Sequence, residues 1–289
     1  MIEDTEPHVQ RLLIASGGAF KGAYQVPILR ALTERGAYDA MLGTSVGSIN
    51  LSLAAQDKFD VLEGFWDDLD TKDPWLGIPG FLKPLWWKAL IPFAERPEGL
   101  FSIEPVRALL EKHVDPTQFR CVYGCGIVIR DEGKHITAIH GRHSDTVQKL
   151  HDHILASSAM CGIMAPIRCG LGSEALVDGG HKHVIPTIPE RWLHTVKEID
   201  VVFCQVLDEG ALPDPEGGAL SNLLWGIEVA LHNTALEDLE DLRELAAAGK
   251  KVRVWAPTKS LGGMLDASAR TIARRTQAGR EDIDRPVIL

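Results

Sequence analysis

The sequence predicts an α/β protein built on a mainly parallel central sheet. Two strand-loop-helix units in succession carry that prediction, and a third alternation in the C-terminal part extends it. In the first unit the apolar run Arg11 to Ser16 leads into the glycine-rich loop Ser16-Gly17-Gly18-Ala19-Phe20-Lys21-Gly22. In the second, Tyr38 to Leu42 leads into Gly43-Thr44-Ser45-Val46-Gly47. Consecutive β-loop-α units favour parallel strands, with both loops at the carboxyl ends of neighbouring strands.

Composition sets the outer bounds. The 289 residues are 45% hydrophobic and 24% charged, enough for one large domain or two small ones and too apolar for disorder. No internal repeat or clear linker divides them, so a single domain over 1–289 is expected. The net charge of −10 argues against a phosphate-backbone partner, and no nucleic acid is expected. Five cysteines with no C-x-x-C fit reduced thiols better than a disulfide framework. The acidic N-terminus lacks an apolar signal core, and no uninterrupted apolar stretch is long enough to span a bilayer. The expected location is cytoplasmic, with room for peripheral contact with membranes.

The elements follow in order. After the first loop, Tyr24, Ile28, Leu29 and Leu32 keep helical spacing, with Pro27 early and Gly36 as the stop. Ser48 to Gln56 and Lys58 to Leu69 read as further helices. Residues 72–98 change character: three tryptophans and several Leu, Ile and Phe are interrupted by Pro79, Pro84 and Pro92. Covering each large apolar side chain is worth about 1.5–3 kcal/mol. One reading is a lid or acyl-pocket wall that touches a lipid interface; core packing or a dimer contact competes with it. Ile103 to His113 is a helix with Pro105 in its first turn. Cys121 to Ile129 and Lys134 to His140 are strands around the turn Asp131-Glu132-Gly133. Ser144 is the expected N-cap of a helix reaching Ala159. Pro166 to Cys169 and Ala175 to Val177 are short strands, and Asp178-Gly179-Gly180 follows the second. Asp200 to Leu207 is a buried strand, and 208–218 is a loop rich in Pro, Gly and acids. Leu220 to Ala248 is a long helix stopped by Gly249, and Lys251 to Ala256 is a strand. Asp266 caps a last helix whose Arg270, Arg274 and Arg275 read as a solvated face.

The chemistry centres on Ser45. A G-x-S-x-G at a strand-to-helix turn holds the serine hydroxyl exposed on a sharp, rigid bend, with Gly43 and Gly47 removing side chains that would clash. A chain this long contains that pattern by chance with a probability on the order of 0.1, so the context decides. Backbone amides of the first loop would face Ser45 as an oxyanion hole, each well-placed donor being worth about 3–4 kcal/mol in the transition state. Asp178, at a strand end before two glycines, is placed to act as base for Ser45, although Asp-Gly is also a common turn.

Taken together these motifs resemble the patatin-like phospholipase family over nearly the whole chain. Ser16 to Gly22 resembles its G-G-G-x-[RK]-G loop, and Gly43 to Asn50 its G-T-S-x-G-x-x-N elbow. Ala156-Ser157-Ser158-Ala159 resembles its A-S-x-A block, and Asp178-Gly179-Gly180 its D-G-G. The resemblance implies a three-layer α/β/α fold with a mainly parallel sheet. It implies hydrolysis of acyl esters of phospholipids or related lipids without cofactor or metal. It makes Ser45 the nucleophile and Asp178 the general base of a dyad. It assigns the oxyanion hole to Gly17, Gly18, Ala19 and Phe20, with Lys21, Gly22, Gly43, Gly47, Gly179 and Gly180 in support. Three positions depart from the family pattern. Ala19 stands for the third Gly, Cys161 for a Pro that often follows the A-S-x-A block, and Val184-Ile185-Pro186 for an N-x-P after D-G-G.

Two other readings compete. A Ser-Asp-His triad would need a histidine after the acid, and His181, His183, His194 and His232 are available. A non-catalytic lipid-binding or scaffold protein on the same fold draws its support from Ala19. A metal site is less favoured: eight of the eleven histidines lie between His135 and His194, but His151/His153 and His181/His183 lack helical ligand spacing and no cysteine cluster joins them.

Overall fold

The computed structural model describes residues 8–69, 103–141, 146–169, 174–207 and 219–289. The expected apolar lid or pocket segment 72–98, the loop 208–218 and the Ser144 cap lie outside the described residues. Thr146 caps the helix instead, accepting the Lys149 N–H.

The chain forms β1 (Arg11–Ala15), a 3-10 turn (Ala19–Tyr24), α1 (Gln25–Arg35), β2 (Ala40–Thr44), α2 (Val46–Ala54) and α3 (Phe59–Asp67). It continues with α4 (Glu104–His113), β3 (Val122–Ile129), β4 (Lys134–His140), α5 (Val147–Ser157), β5 (Ile167–Arg168) and β6 (Ala175–Asp178). The last part holds α6 (Glu190–Leu193), β7 (Glu198–Val202), α7 (Ala219–Ala247), β8 (Lys251–Trp255), α8 (Ala269–Asp282) and β9 (Val287–Ile288). The sheet runs β5-β6-β3-β2-β1-β7-β8-β9, with β4 on β3. Strands β3, β2, β1, β7 and β8 are parallel, and β4, β5, β6 and β9 pair antiparallel with their neighbours.

Alternation along the strands builds the three layers. Leu13, Ala15 and Met41 join one apolar cluster with α1, α2, α3, α4 and α5. Leu12, Ile14, Ala40 and Leu42 join the opposite cluster with Ala235, Leu239 and Leu242 of α7. A period of two on each strand therefore supplies both helical layers. This is the expected α/β/α arrangement.

The register of β3 positions the site. Strand β4 pairs with β3 from Tyr123 to Ile129 and occupies one edge along that length. The other edge is shared. Strand β2 runs parallel to its first half, ending with Thr44 opposite Gly126. Strand β6 runs antiparallel to its second half, with Asp178 opposite Ile127. Two strands that approach from opposite directions thus end on adjacent residues of β3, which brings Ser45 and Asp178 together from distant parts of the sequence.

The expectation for Arg275 is corrected. It is fully buried rather than solvated. Its guanidinium donates to the carbonyls of Leu261 (3.0 Å), Asp266 (2.7 Å) and Gly263 (2.7 Å), and these bonds offset its desolvation. Burial still lowers its pKa to about 10. Ser268, rather than Asp266, is the residue before the first turn of α8. Asp266 supports that turn by accepting from the Ser268 N–H and the Thr271 hydroxyl.

Candidate active site

Ser45 sits between β2 and α2 with φ 53° and ψ −127°. For a residue with a side chain this sparsely populated conformation costs about 1–3 kcal/mol. Hydrogen bonds on both of its backbone groups hold it there. Its N–H donates to Ser157 Oγ at 3.0 Å. Its carbonyl accepts from the Ser48 N–H (2.9 Å), Ser48 Oγ (2.6 Å) and Ser158 Oγ (3.2 Å). The glycine at 47 is required by close approach, because a Cβ there would lie 2.2 Å from the Ala15 carbonyl oxygen. A Cβ on Gly43 would lie 2.5 Å from the Ser48 nitrogen.

Asp178 ends β6 and is almost wholly buried. Its Oδ1 accepts the Gly180 N–H at 2.7 Å, and its own N–H donates to the Ala159 carbonyl at 3.0 Å. Burial pushes its pKa up to about 7, against the opposing pull of the Ser45 hydroxyl and the Gly180 amide beside it. Oδ2 is buried and has no well-formed hydrogen bond among the described residues. The Ser45 hydroxyl is therefore a neighbour of the carboxyl without reaching good hydrogen-bond geometry, a looseness common in resting sites. Ser45 and Asp178 line two clefts that meet between them. One, of about 750 Å³, is walled by apolar groups including Ile49, Phe65, Trp66, Val106 and Met164. The other, of about 450 Å³, includes Gly17, Gly18, His181 and Gln205 beside the apolar Met160, Val184, Ile227, Leu231 and Met264.

The glycine-rich loop faces this junction, with Gly17, Gly18 and Ala19 in the smaller cleft and Phe20 in the larger. Two of its four expected amides are already engaged: Gly17 N–H donates to the Val184 carbonyl (2.9 Å) and Phe20 N–H to the Met264 carbonyl (3.1 Å). The amides of Gly18 and Ala19 have no hydrogen-bond partner among the described residues. Ala19 has φ 47°, so the position of the missing glycine does adopt the left-handed conformation. Lys21 turns away from the clefts' junction to a buried ion pair with Glu228 of α7, and Gln205 Oε1 lies 3.4 Å from its Nζ. The Gly22 carbonyl accepts from Asn50 Nδ2 at 3.1 Å, which ties the loop to α2. A Cβ on Gly179 would lie 2.4 Å from the Gly126 carbonyl oxygen, so the turn after Asp178 also depends on glycine.

The Ala156 to Ala159 block clamps both groups. Ser157 accepts the Ser45 amide and donates to the Gly126 carbonyl (2.7 Å), while Ala159 accepts the Asp178 amide. The sequence of this block carries no local sign of that hydrogen bonding. Glu228, Gln205 and Met264, which hold the glycine-rich loop, lie far along the chain and carry no local signal either.

Among the histidines considered for a triad, His181 lines the smaller cleft, and its Nε2 already accepts the Cys161 N–H at 3.0 Å. His183 bonds Asp238 of α7 at 2.7 Å. His151 bonds the Val114 carbonyl and His153 meets His140. Among the described residues no three His, Cys, Asp or Glu side chains converge on a metal position. Among them, too, no helix is long and apolar enough to cross a membrane.

The α/β/α sheet thus sets an elbow serine of positive φ and a buried aspartate in the same clefts as the glycine-rich loop. The model of patatin-like phospholipases matches residues 13–190, more than half of the chain, and the chain belongs to that family. No protein of curated function matches the sequence. Among solved structures, VipD from Legionella pneumophila is similar at 13% identity and TM-score 0.43, over 96% of this chain and 66% of that one. The type III effector ExoU is similar at 13% identity and TM-score 0.37, over 96% and 52%. ExoU in its complex with SpcU, from the type III secretion system of Pseudomonas aeruginosa, shows 18% identity and TM-score 0.34 over 98% and 53%. This chain spans about half to two thirds of the length of those chains.

Proposed function

We propose that this protein hydrolyses acyl ester bonds of phospholipids or related lipids through a Ser45-Asp178 dyad. The observation that carries the reading is the meeting of an elbow serine and a buried carboxylate, with an elevated pKa, at the junction of two clefts. Asp178 takes the Ser45 proton as Oγ attacks the ester carbonyl. The tetrahedral oxyanion then accepts hydrogen bonds from the free amides of Gly18 and Ala19. Asp178 returns the proton to the leaving alkoxide, and water, activated by the same carboxylate, releases the fatty acid from Ser45. The larger apolar cleft takes the acyl chain. No cofactor or metal enters these steps. Against a triad stands His181 Nε2, whose lone pair is used by the Cys161 amide and is closed to the Ser45 proton. The active protein meets its substrate at a lipid surface as a peripheral partner.

Fatty-acid release from esters and phospholipid vesicles tests this. Wild-type activity that Ser45→Ala and Asp178→Asn both abolish is expected. Activity that survives Ser45→Ala contradicts the mechanism. Absence of activity together with no fluorophosphonate label on Ser45 favours the binding-protein reading.

A further inference from the structure

Two features of the chain meet in the structure. Cys161, two residues after Ala159, has a backbone N–H that a proline there would lack. That N–H donates to Nε2 of His181, three residues after Asp178. An imidazole that accepts at Nε2 carries its proton at Nδ1. Protonation of Nε2 would forfeit the amide bond, and partial burial opposes the cation as well. His181 is thus a neutral ring whose one donor is Nδ1–H, and its side chain belongs to the wall of the cleft that holds Ser45, Asp178, Gly17 and Gly18. Gln205 lies in the same wall. Its Oε1 faces Lys21, which leaves its NH2 as a second neutral donor. Both clefts have apolar walls, but His181 and Gln205 are polar side chains that the smaller cleft has and the larger one lacks. Because Ser45 belongs to both clefts, an ester held across it places its two halves in different surroundings.

We infer that His181, oriented by the Cys161 amide and seconded by Gln205, is a specificity-determining residue that hydrogen-bonds the oxygens of the leaving alcohol. The inference rests on the proposed ester hydrolysis and deepens it. It assigns the smaller cleft to an oxygen-bearing alcohol of the glycerol type and the larger one to the acyl chain. The acceptors are the free hydroxyl or ester oxygens of the glycerol unit, which a simple alkyl ester lacks.

The test compares the glycerol monoester and the ethyl ester of decanoic acid with wild type, His181→Ala, His181→Asn and Cys161→Pro. The readout is the ratio of kcat/KM for the two substrates. Loss of one donor should lower that ratio about tenfold in His181→Ala. His181→Asn, which restores a side-chain N–H, should recover part of it, and Cys161→Pro should lower it through the tautomer alone. A ratio unchanged in His181→Ala, whatever happens to absolute activity, overturns the inference. Imidazole nitrogen NMR of the wild type gives a check free of variants: a His181 protonated at Nε2 at pH 7 overturns it as well. If Ser45 accepts a fluorophosphonate and the ratio does not move, the inference alone fails. If wild type cleaves neither ester and Ser45 is unlabelled, the hydrolase reading fails and takes the inference with it.

Discussion

Replacing Asp178 by Asn should stabilise the protein, and more so at high pH. The carboxyl is buried at the end of β6, and its pKa rises from 3.8 to about 7 on folding. A raised carboxyl pKa means that the folded state disfavours the anion, so stability is lost as pH rises from the unfolded value through the folded one. Each pH unit between those two values costs about 1.4 kcal/mol, so the penalty is about 2 kcal/mol at pH 5 and roughly 4 kcal/mol at pH 8. Asparagine keeps an acceptor for the Gly180 amide and carries no charge at either pH. The stability difference between variant and wild type should therefore grow by roughly 2–3 kcal/mol from pH 5 to pH 8. In a chain of this size that corresponds to about 5 °C in the difference of melting temperatures. Circular dichroism melts of both proteins at the two pH values measure it, and pH effects of other groups cancel in the difference. An equal difference at both pH values, or one that shrinks at pH 8, would refute the assignment of Asp178 as a desolvated, elevated-pKa carboxyl.

Three further outcomes follow from the same geometry. Ala19→Gly relieves the left-handed φ of 47° and should add about 1 kcal/mol in urea unfolding, without loss of Ser45 labelling. Ser157→Ala leaves the Ser45 N–H and the Gly126 carbonyl without their partner. It should cost about 1–3 kcal/mol and lower kcat more than it raises KM. Glu228→Gln strands Lys21 as a buried cation and should destabilise by about 3–5 kcal/mol, read from the same unfolding experiment; the double variant Lys21→Met/Glu228→Leu should recover most of that loss.

The parts of the fold visible in the sequence were those written in local pattern. The runs at Arg11 and Tyr38, each closed by glycines and followed by helical spacing, fall on β1 and β2, and the elbow at Ser45 follows directly. Asp178 was legible as a strand end before two glycines. Its approach to Ser45 was not, because it depends on β2 and β6 meeting head to head on β3, and pairing register has no local signature. Arg275 misled for a related reason. Helical spacing put it beside the exposed Arg274, while three carbonyls of the preceding loop hold it inside. The free amides of the glycine-rich loop were equally hidden, since Val184 and Met264, which engage Gly17 and Phe20, are remote in sequence.

The rate of Ser45 phosphonylation by a fluorophosphonate, followed from pH 5 to pH 9 in wild type and Asp178→Asn, tests the central claim most directly. With Asp178 as base, ionised only above its pKa of about 7, the wild-type rate should rise tenfold per pH unit below that value and level off above it. Asp178→Asn should lose both the rate and the inflection. A wild-type profile that is flat across pH 7, an inflection that persists in Asp178→Asn, or label on a residue other than Ser45 would contradict the dyad.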